Sequence, residues 1–280
     1  MKQSSTASTP KPNRDDSQSG VQSVSRALDL LEAFPSHGPE IGLSRIASLL
    51  GMNKATAYRL LSTLEERGYV ERSPESRKYR LGVRAFELGA YFQSQLEVRR
   101  IALTHLKSIV EQTSEGAFLC IREGDEALCI ERVEGKQEVN IFSLRVGGKQ
   151  PLHCGAAPRA LLAGMDEGEL KGYAERTGLP GLTPHTITSL EGLQEDARRT
   201  RVQGYVVSLN DAMLGIAAVG APIYDHAGCV VASISLSGLS SRYDPKRVSE
   251  LAKIVVASAE RFSRQLGYRG GNLNPFLMDL

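Results

Sequence analysis

No stretch of this 280-residue chain approaches the run of about 20 apolar residues that spans a bilayer, so a membrane helix is excluded. Cysteine is scarce: Cys120, Cys129, Cys154 and Cys229 stand far apart with no CxxC spacing, which argues against a zinc knuckle or a disulfide framework and leaves reduced thiols as the default. The five histidines fall into no HExxH or HxH pattern, so no metal site is expected. Neither GxxxxGK[ST] nor GxGxxG occurs, which leaves ATP- or NAD-driven chemistry without support and no cofactor expected. Charge of one sign is also nearly missing. A net +2 does not advertise nucleic-acid binding, so any such character must be local. The first twenty residues, rich in Ser, Pro, Lys, Gln and Asp, lack the apolar core of a signal peptide; they read as a disordered tail on a cytoplasmic protein.

What is present is the composition of a globular protein, 41% hydrophobic and 24% charged, at a length that favours two cores. Val24, Ala27, Leu28 and Leu31 carry helical spacing behind a Ser23 cap, and the helix is expected to end before Pro35. Leu43, Ile46, Ala47 and Leu50 repeat the spacing and stop at Gly51. After the link Gly51-Met52-Asn53, the segment Lys54 to Arg67 sets Ala57, Leu60, Leu61 and Leu64 on one stripe and stops at Gly68.

Two helices joined by a Gly-containing turn suit a helix-turn-helix. The face of the third helix opposite its stripe carries Ala55, Arg59 and Ser62, with Lys54, Thr56 and Tyr58 near its start, side chains that reach base edges and phosphates. Two short strands, 69–72 and 78–81, flank a polar turn and form a basic hairpin, with Arg77 and Lys78 near its tip. With Ser44 of the second helix, these are the DNA-contact candidates. The local excess is modest, seven Lys/Arg against four Glu between Lys54 and Arg80. The helices alone also suit a plain bundle with solvated charges. A basic hairpin beside a polar helix face favours DNA.

The stretch LSRIASLLGMNKATAYRLLSTLEERGYVERSPESRKYRLG resembles the DNA-binding domain of the IclR family of bacterial transcription regulators, and GYVVSLNDAMLGIAAVGAPIYDHAGCVVASISLSG is similar to that family's sensing segment. The resemblance implies an α+β protein: a tail (1–20), a winged helix-turn-helix (21–82), a linker and dimerisation helix (83–98), a GAF-like effector domain with a mostly antiparallel sheet (99–268), and a second tail (269–280). It implies a homodimer, or a dimer of dimers, on a near-palindromic double-stranded operator, with a small organic-acid effector setting the affinity.

The residues fit that order. Val83 to Leu96 has a broad apolar face, Ile101 to Gln112 is amphipathic, and strands are expected at 116–122, 127–133 and 138–144. Helical zones follow at 156–174 and 189–203, then strands near 204–208, 216–224 and 230–236, and a closing helix at 245–266. At Gly155-Ala156 a strand runs into a helix that Pro158 can begin, and free N–H groups there suit a small carboxylate; a tight turn without ligand is the plainer reading. Carried over residue by residue, the resemblance implies an effector pocket at Gly155, Ala156, Ser208, Ala218, Ser235 and Ser237. Some members have Asp in place of Ser208 and Cys in place of Ala218. Arg145 is either a counter-ion for an acid or a solvated loop residue.

His153-Cys154 invites a nucleophile reading, but neighbours on a strand face opposite ways, so no catalytic residue is nominated. Two other classes remain: a ligand-binding module whose helix-turn-helix contacts protein, and a hydrolase with a DNA-binding arm.

Overall fold

The computed structural model describes residues 21–95, 97–136 and 145–270. The chain divides into two units at Phe92/Gln93.

In the N-terminal unit, α1 (Gln22–His37), α2 (Leu43–Leu49) and α3 (Lys54–Glu66) precede β1 (Val70–Arg72), β2 (Tyr79–Leu81) and α4 (Val83–Gln95). Two expectations about α1 need correction. Ser23 lies inside the first turn, the N-cap being Val21, and the helix runs through Pro35 to His37. Burial of Ala33 and Phe34 outweighs the bias that proline exerts on its predecessor, and the His37 ring meets the Ala33 carbonyl at 3.1 Å near the helix end. Gly51, at φ +58°, supplies the left-handed turn after α2. Asn53 then caps α3, its Oδ1 accepting the Thr56 N–H at 2.8 Å. Leu30, Phe34, Ile41, Ile46, Leu61, Val70 and Tyr79 form the core. The hairpin pairs Glu71 with Arg80, and Ile41 bridges to Tyr79 on β2. This is a winged helix-turn-helix.

The second unit contains α5 (Glu97–Thr113), β3 (Gly116–Glu123), β4 (Glu126–Val133), β5 (Lys149–Pro151), α6 (Ala156–Leu161), α7 (Glu167–Thr177), α8 (Leu190–Gln203), β6 (Val206–Leu209), β7 (Ile216–Tyr224), β8 (Val230–Leu239) and α9 (Pro245–Gln265). Six strands in the order β5-β4-β3-β8-β7-β6 make one antiparallel sheet. Its faces are sorted by the two-residue period of the strands. Ala217, Val219, Ala221, Ile223, Ile234 and Leu236 pack with residues of α5 and α9. Phe118, Cys120 and Cys129 pack on the other side with residues of α6, α7 and α8. β8 therefore alternates Ile234 and Leu236 with Ser233, Ser235 and Ser237, all three serines buried.

The helical zone expected over 156–174 is broken. At Gly164 a Cβ would lie 2.7 Å from the Val230 Cβ, the chain extends at Met165, and Asp166 starts α7 with a capping box to Glu169. The strand expected at 138–144 lies outside the described residues, as do 1–20 and 271–280. The brief β5 was missed because three residues ending in proline carry no alternation.

Candidate DNA-binding face and effector site

α3 divides cleanly. Ala57 and Leu61 are buried, while Lys54, Ala55, Tyr58 and Arg59 are exposed and Thr56 and Ser62 are half-buried at the edge. Ser44 on α2 is exposed, and so is its neighbour Arg45, which the sequence reading passed over although it shares the polar face of α2. Arg77 and Lys78 are exposed at the end of the wing, whose turn is closed by the Ser73 N–H donating to the Lys78 carbonyl at 2.8 Å and the Ser76 N–H to Ser73 Oγ at 3.2 Å.

The cations here fall into two groups. Arg80 is held by Glu71 at 2.6 Å and Arg84 by Glu87 at 2.7 Å. Arg72 donates to the Arg77 carbonyl at 3.1 Å and lies over the Tyr79 ring. Among the described residues, no carboxylate pairs with Arg26, Arg45 or Arg67, nor with the four cations on α3 and the wing, Lys54, Arg59, Arg77 and Lys78. Exposed and unneutralised, those four are the charges of this unit best suited to phosphate oxygens and base edges.

In the C-terminal unit the six nominated pocket residues converge. Ser208, Ala218 and Ser237 stand directly opposite one another on β6, β7 and β8, and Ser235 follows two residues along on the same face. Ala156 packs with Ala218, Ala160 and Val206. A glycine at 220 permits this approach, since a Cβ there would fall 2.7 Å from the Ala156 carbonyl oxygen. Gly155 takes φ +83°, closed to most side chains.

One expectation is overturned. The Gly155 N–H, read as open to a ligand carboxylate, donates to Asp211 Oδ2 at 3.2 Å. The same Asp211 accepts from Arg159 Nη1 at 2.7 Å and, through Oδ1, from the Ser208 hydroxyl. Arg159 is forked on to Asp196 as well, Nε to Oδ2 at 2.9 Å and Nη2 to Oδ1 at 2.5 Å. Thr186 Oγ1 fixes the Asp211 backbone, donating to its carbonyl at 2.6 Å.

Sequence reasoning missed this buried ion network, though two signs of it were legible. Arg159 is a lone cation in the apolar run Ala156–Leu162, and Asp196 falls on the buried stripe of α8 with Leu193, Ala197 and Thr200. Ser237 Oγ and Gln150 Oε1 are buried and, among the described residues, have no hydrogen-bond partner. A ligand hydroxyl or carboxylate would satisfy the serine. Arg145 is exposed.

His153 and Cys154 have structural surroundings. The imidazole is fixed between Tyr173 Oη at 2.7 Å and the Pro180 carbonyl at 3.0 Å. Burial, with the nearby Asp211 charge, pushes the Cys154 thiol up to about 12, far from a nucleophilic thiolate. Among the described residues there is no cluster of three or more His, Cys, Asp or Glu able to hold a metal, and no helix is long and apolar enough to cross a membrane.

Residues 23–74 match the family model of the IclR helix-turn-helix domain, and residues 90–264 match the C-terminal domain of bacterial IclR transcriptional regulators. The HTH-type transcriptional regulator XynR of Escherichia coli is 34% identical over 248 residues, covering 89% of this chain and 98% of its own. A crystal structure of an IclR transcriptional regulator from Alicyclobacillus acidocaldarius superposes with a TM-score of 0.79 at 30% identity, covering 89% of this chain and all of that one. An IclR homologue from Microbacterium hydrocarbonoxydans, crystallised with 4-hydroxybenzoate, shares the fold at a TM-score of 0.78 and 24% identity, over 88% of this chain and 99% of its own. The relatives are regulators rather than enzymes, and this chain, matched along both units, belongs to the IclR family of bacterial transcriptional regulators.

Proposed function

We propose that α3 enters the major groove of an operator, with Arg59, Tyr58, Ala55 and Ser62 at base edges, Lys54, Thr56 and Ser44 on the flanking backbone, and Arg77 and Lys78 of the wing on further phosphates. The observation that carries this reading is the partition of cations, with Lys54, Arg59, Arg77 and Lys78 left without carboxylates while Arg80 and Arg84 are paired.

The regulator acts as a homodimer in the cytoplasm, where bacterial DNA lies, and its dimers can pair further. Support comes from an apolar groove of about 550 Å³ lined by Val24, Ala27, Leu28, Leu31, Leu60 and Leu88, and from the exposed side chains of Val83 and Phe86 on α4. An apolar surface of this kind marks a protein contact. A two-fold dimer sets two copies of α3 roughly 34 Å apart, one helical turn of DNA, and so selects a near-palindromic operator.

The effector is a small organic acid seated against β7 and β8. With the Gly155 N–H already given to Asp211, its polar anchor is the serine face, Ser235 and the unpartnered Ser237, with Ala156 and Ala218 as apolar walls and Gly155 and Ser208 at the rim. The 4-hydroxybenzoate held by the Microbacterium homologue belongs to the same chemical class. A coupling of about 1–3 kcal/mol between the two sites changes operator affinity 5- to 150-fold.

The test is a fluorescence-anisotropy titration against the upstream intergenic duplex and a scrambled duplex, at two salt concentrations, with a panel of organic acids. Tighter binding to the upstream duplex, shifted by one acid, is the expected result. Equal, weak binding to both duplexes removes the DNA-recognition reading. Turnover of an acid ester that disappears in Cys154→Ser would favour the hydrolase alternative instead.

A further inference from the structure

Cys120 on β3 and Cys129 on β4 stand opposite each other in the antiparallel register, next to a β-bulge between Leu119 and Cys120, and both are fully buried as free thiols. Their pairing type follows from the backbone. Cys129 sends its N–H to the Gly148 carbonyl at 2.9 Å, and its own carbonyl accepts from Gly147 at 2.8 Å, so both of its main-chain groups point away from β3. Cys120 and Cys129 are therefore a non-hydrogen-bonded pair, the closer of the two antiparallel kinds, with Cα atoms roughly 4.5 Å apart. That separation lies inside the window of about 4.4–6.8 Å that a disulfide spans. Both side chains also join one apolar cluster with Phe118, Leu152 and Leu161, so they share a face of the sheet.

We propose that Cys120 and Cys129 are a redox modification site, a dithiol that hydrogen peroxide converts to a cross-strand disulfide and a thiol reductant restores. Cys129 attacks first: its sulfur bonds to one peroxide oxygen, the O–O bond breaks, and water leaves, giving a sulfenic acid. The Cys120 sulfur then attacks the Cys129 sulfur and a second water departs. Two thiols and one peroxide give one disulfide and two waters, with the two electrons passing from sulfur to oxygen.

The order of attack follows from the surroundings. The facing Cys120 thiol holds Cys129 below the ordinary thiol range, and Cys129 together with burial pushes Cys120 above it, while the Cys129 thiol itself donates to the Glu131 carbonyl at 3.5 Å. Cys154 is a poor competitor, with its thiol near 12. The exposed Cys229 is the competing thiol. The disulfide would lie in the strand that anchors residues 147 and 148, just before β5 and the Gly155 turn.

The experiment uses the full chain carrying Cys229→Ser, exposed to hydrogen peroxide while folded, then blocked with N-ethylmaleimide in denaturant and digested with trypsin. The tryptic peptide ending at Arg122 should be joined to the peptide Glu123–Arg132, lighter than their sum by two hydrogens, and dithiothreitol should separate them. Recovery of both peptides carrying maleimide, or of either carrying a sulfinic acid without the link, overturns the proposal. In Cys120→Ala, which removes one sulfur and leaves a small apolar side chain, Cys129 should stop at a dimedone-reactive sulfenic acid. A disulfide from Cys129 to Cys154 in that variant would also overturn the assigned pairing.

Discussion

The two units handle charge in opposite ways. In the N-terminal unit a small core of eight buried apolar residues is wrapped by polar helix faces, and the described charged side chains lie at its surface. In the C-terminal unit two cores line the two faces of the sheet, and Arg159, Asp196 and Asp211 are buried between β6 and helices α6 and α8 with side-chain exposures of 6% or less. Cations at a surface cost little to maintain and remain available to a polyanion such as DNA. Charges in an interior are costly unless every partner is in place, and in return they fix geometry. One unit offers its charge to a partner, and the other uses charge to position the turn at Gly155 and the Asp211 loop around the proposed pocket.

The largest effect should come from breaking the buried side of this contrast. Arg159→Met leaves Asp196 and Asp211 without their shared guanidinium, and urea unfolding should show the C-terminal unit destabilised by about 3–5 kcal/mol. A loss under about 1 kcal/mol would mean that water already serves those carboxylates.

Next in size is the apolar surface of the N-terminal unit. Leu28→Glu combined with Phe86→Glu should shift sedimenting dimer toward smaller species and abolish tight operator binding, while both side chains, already exposed, leave the unit folded by circular dichroism. Unchanged assembly would place the dimer contact elsewhere.

Ser237→Ala removes a buried hydroxyl that lacks a partner, so stability should change little while affinity for the responsive acid falls about tenfold, the loss of one hydrogen bond to a charged group of about 1.5 kcal/mol. Full retention of the acid response would move the effector off the serine face. The smallest effect belongs to the wing. Lys78→Ala should weaken binding to every duplex alike and lower the salt slope by about one. A change in sequence preference instead would make Lys78 a base reader.

Periodicity was enough to place α1, α2, α3 and the hairpin because each is short, local and amphipathic, and a glycine stops each of the second and third helices. The errors lay where tertiary packing overrode local preference: Pro35 inside α1, the break at Gly164 where the chain passes close against Val230, and the three-residue β5. The proposed DNA face rests on residue types on one side of a helix, yet which cations were neutralised depended on cross-strand partners such as Glu71 and Arg80. The six residues of the proposed pocket were named through resemblance to a family. Asp211 stayed hidden because its partners Gly155 and Arg159, at the start of α6, lie 56 and 52 residues before it in the chain, and the chain's own carboxylate filled a donor that local reasoning had left open.

The most direct test of the account is the affinity of Arg59→Ala for the upstream and scrambled duplexes, measured by anisotropy at one fixed salt concentration. Loss of about 1–3 kcal/mol on the upstream duplex with little change on the scrambled one would show α3 reading sequence through that side chain. Equal affinity of variant and wild type for the upstream duplex would contradict the assignment of α3 as the recognition helix.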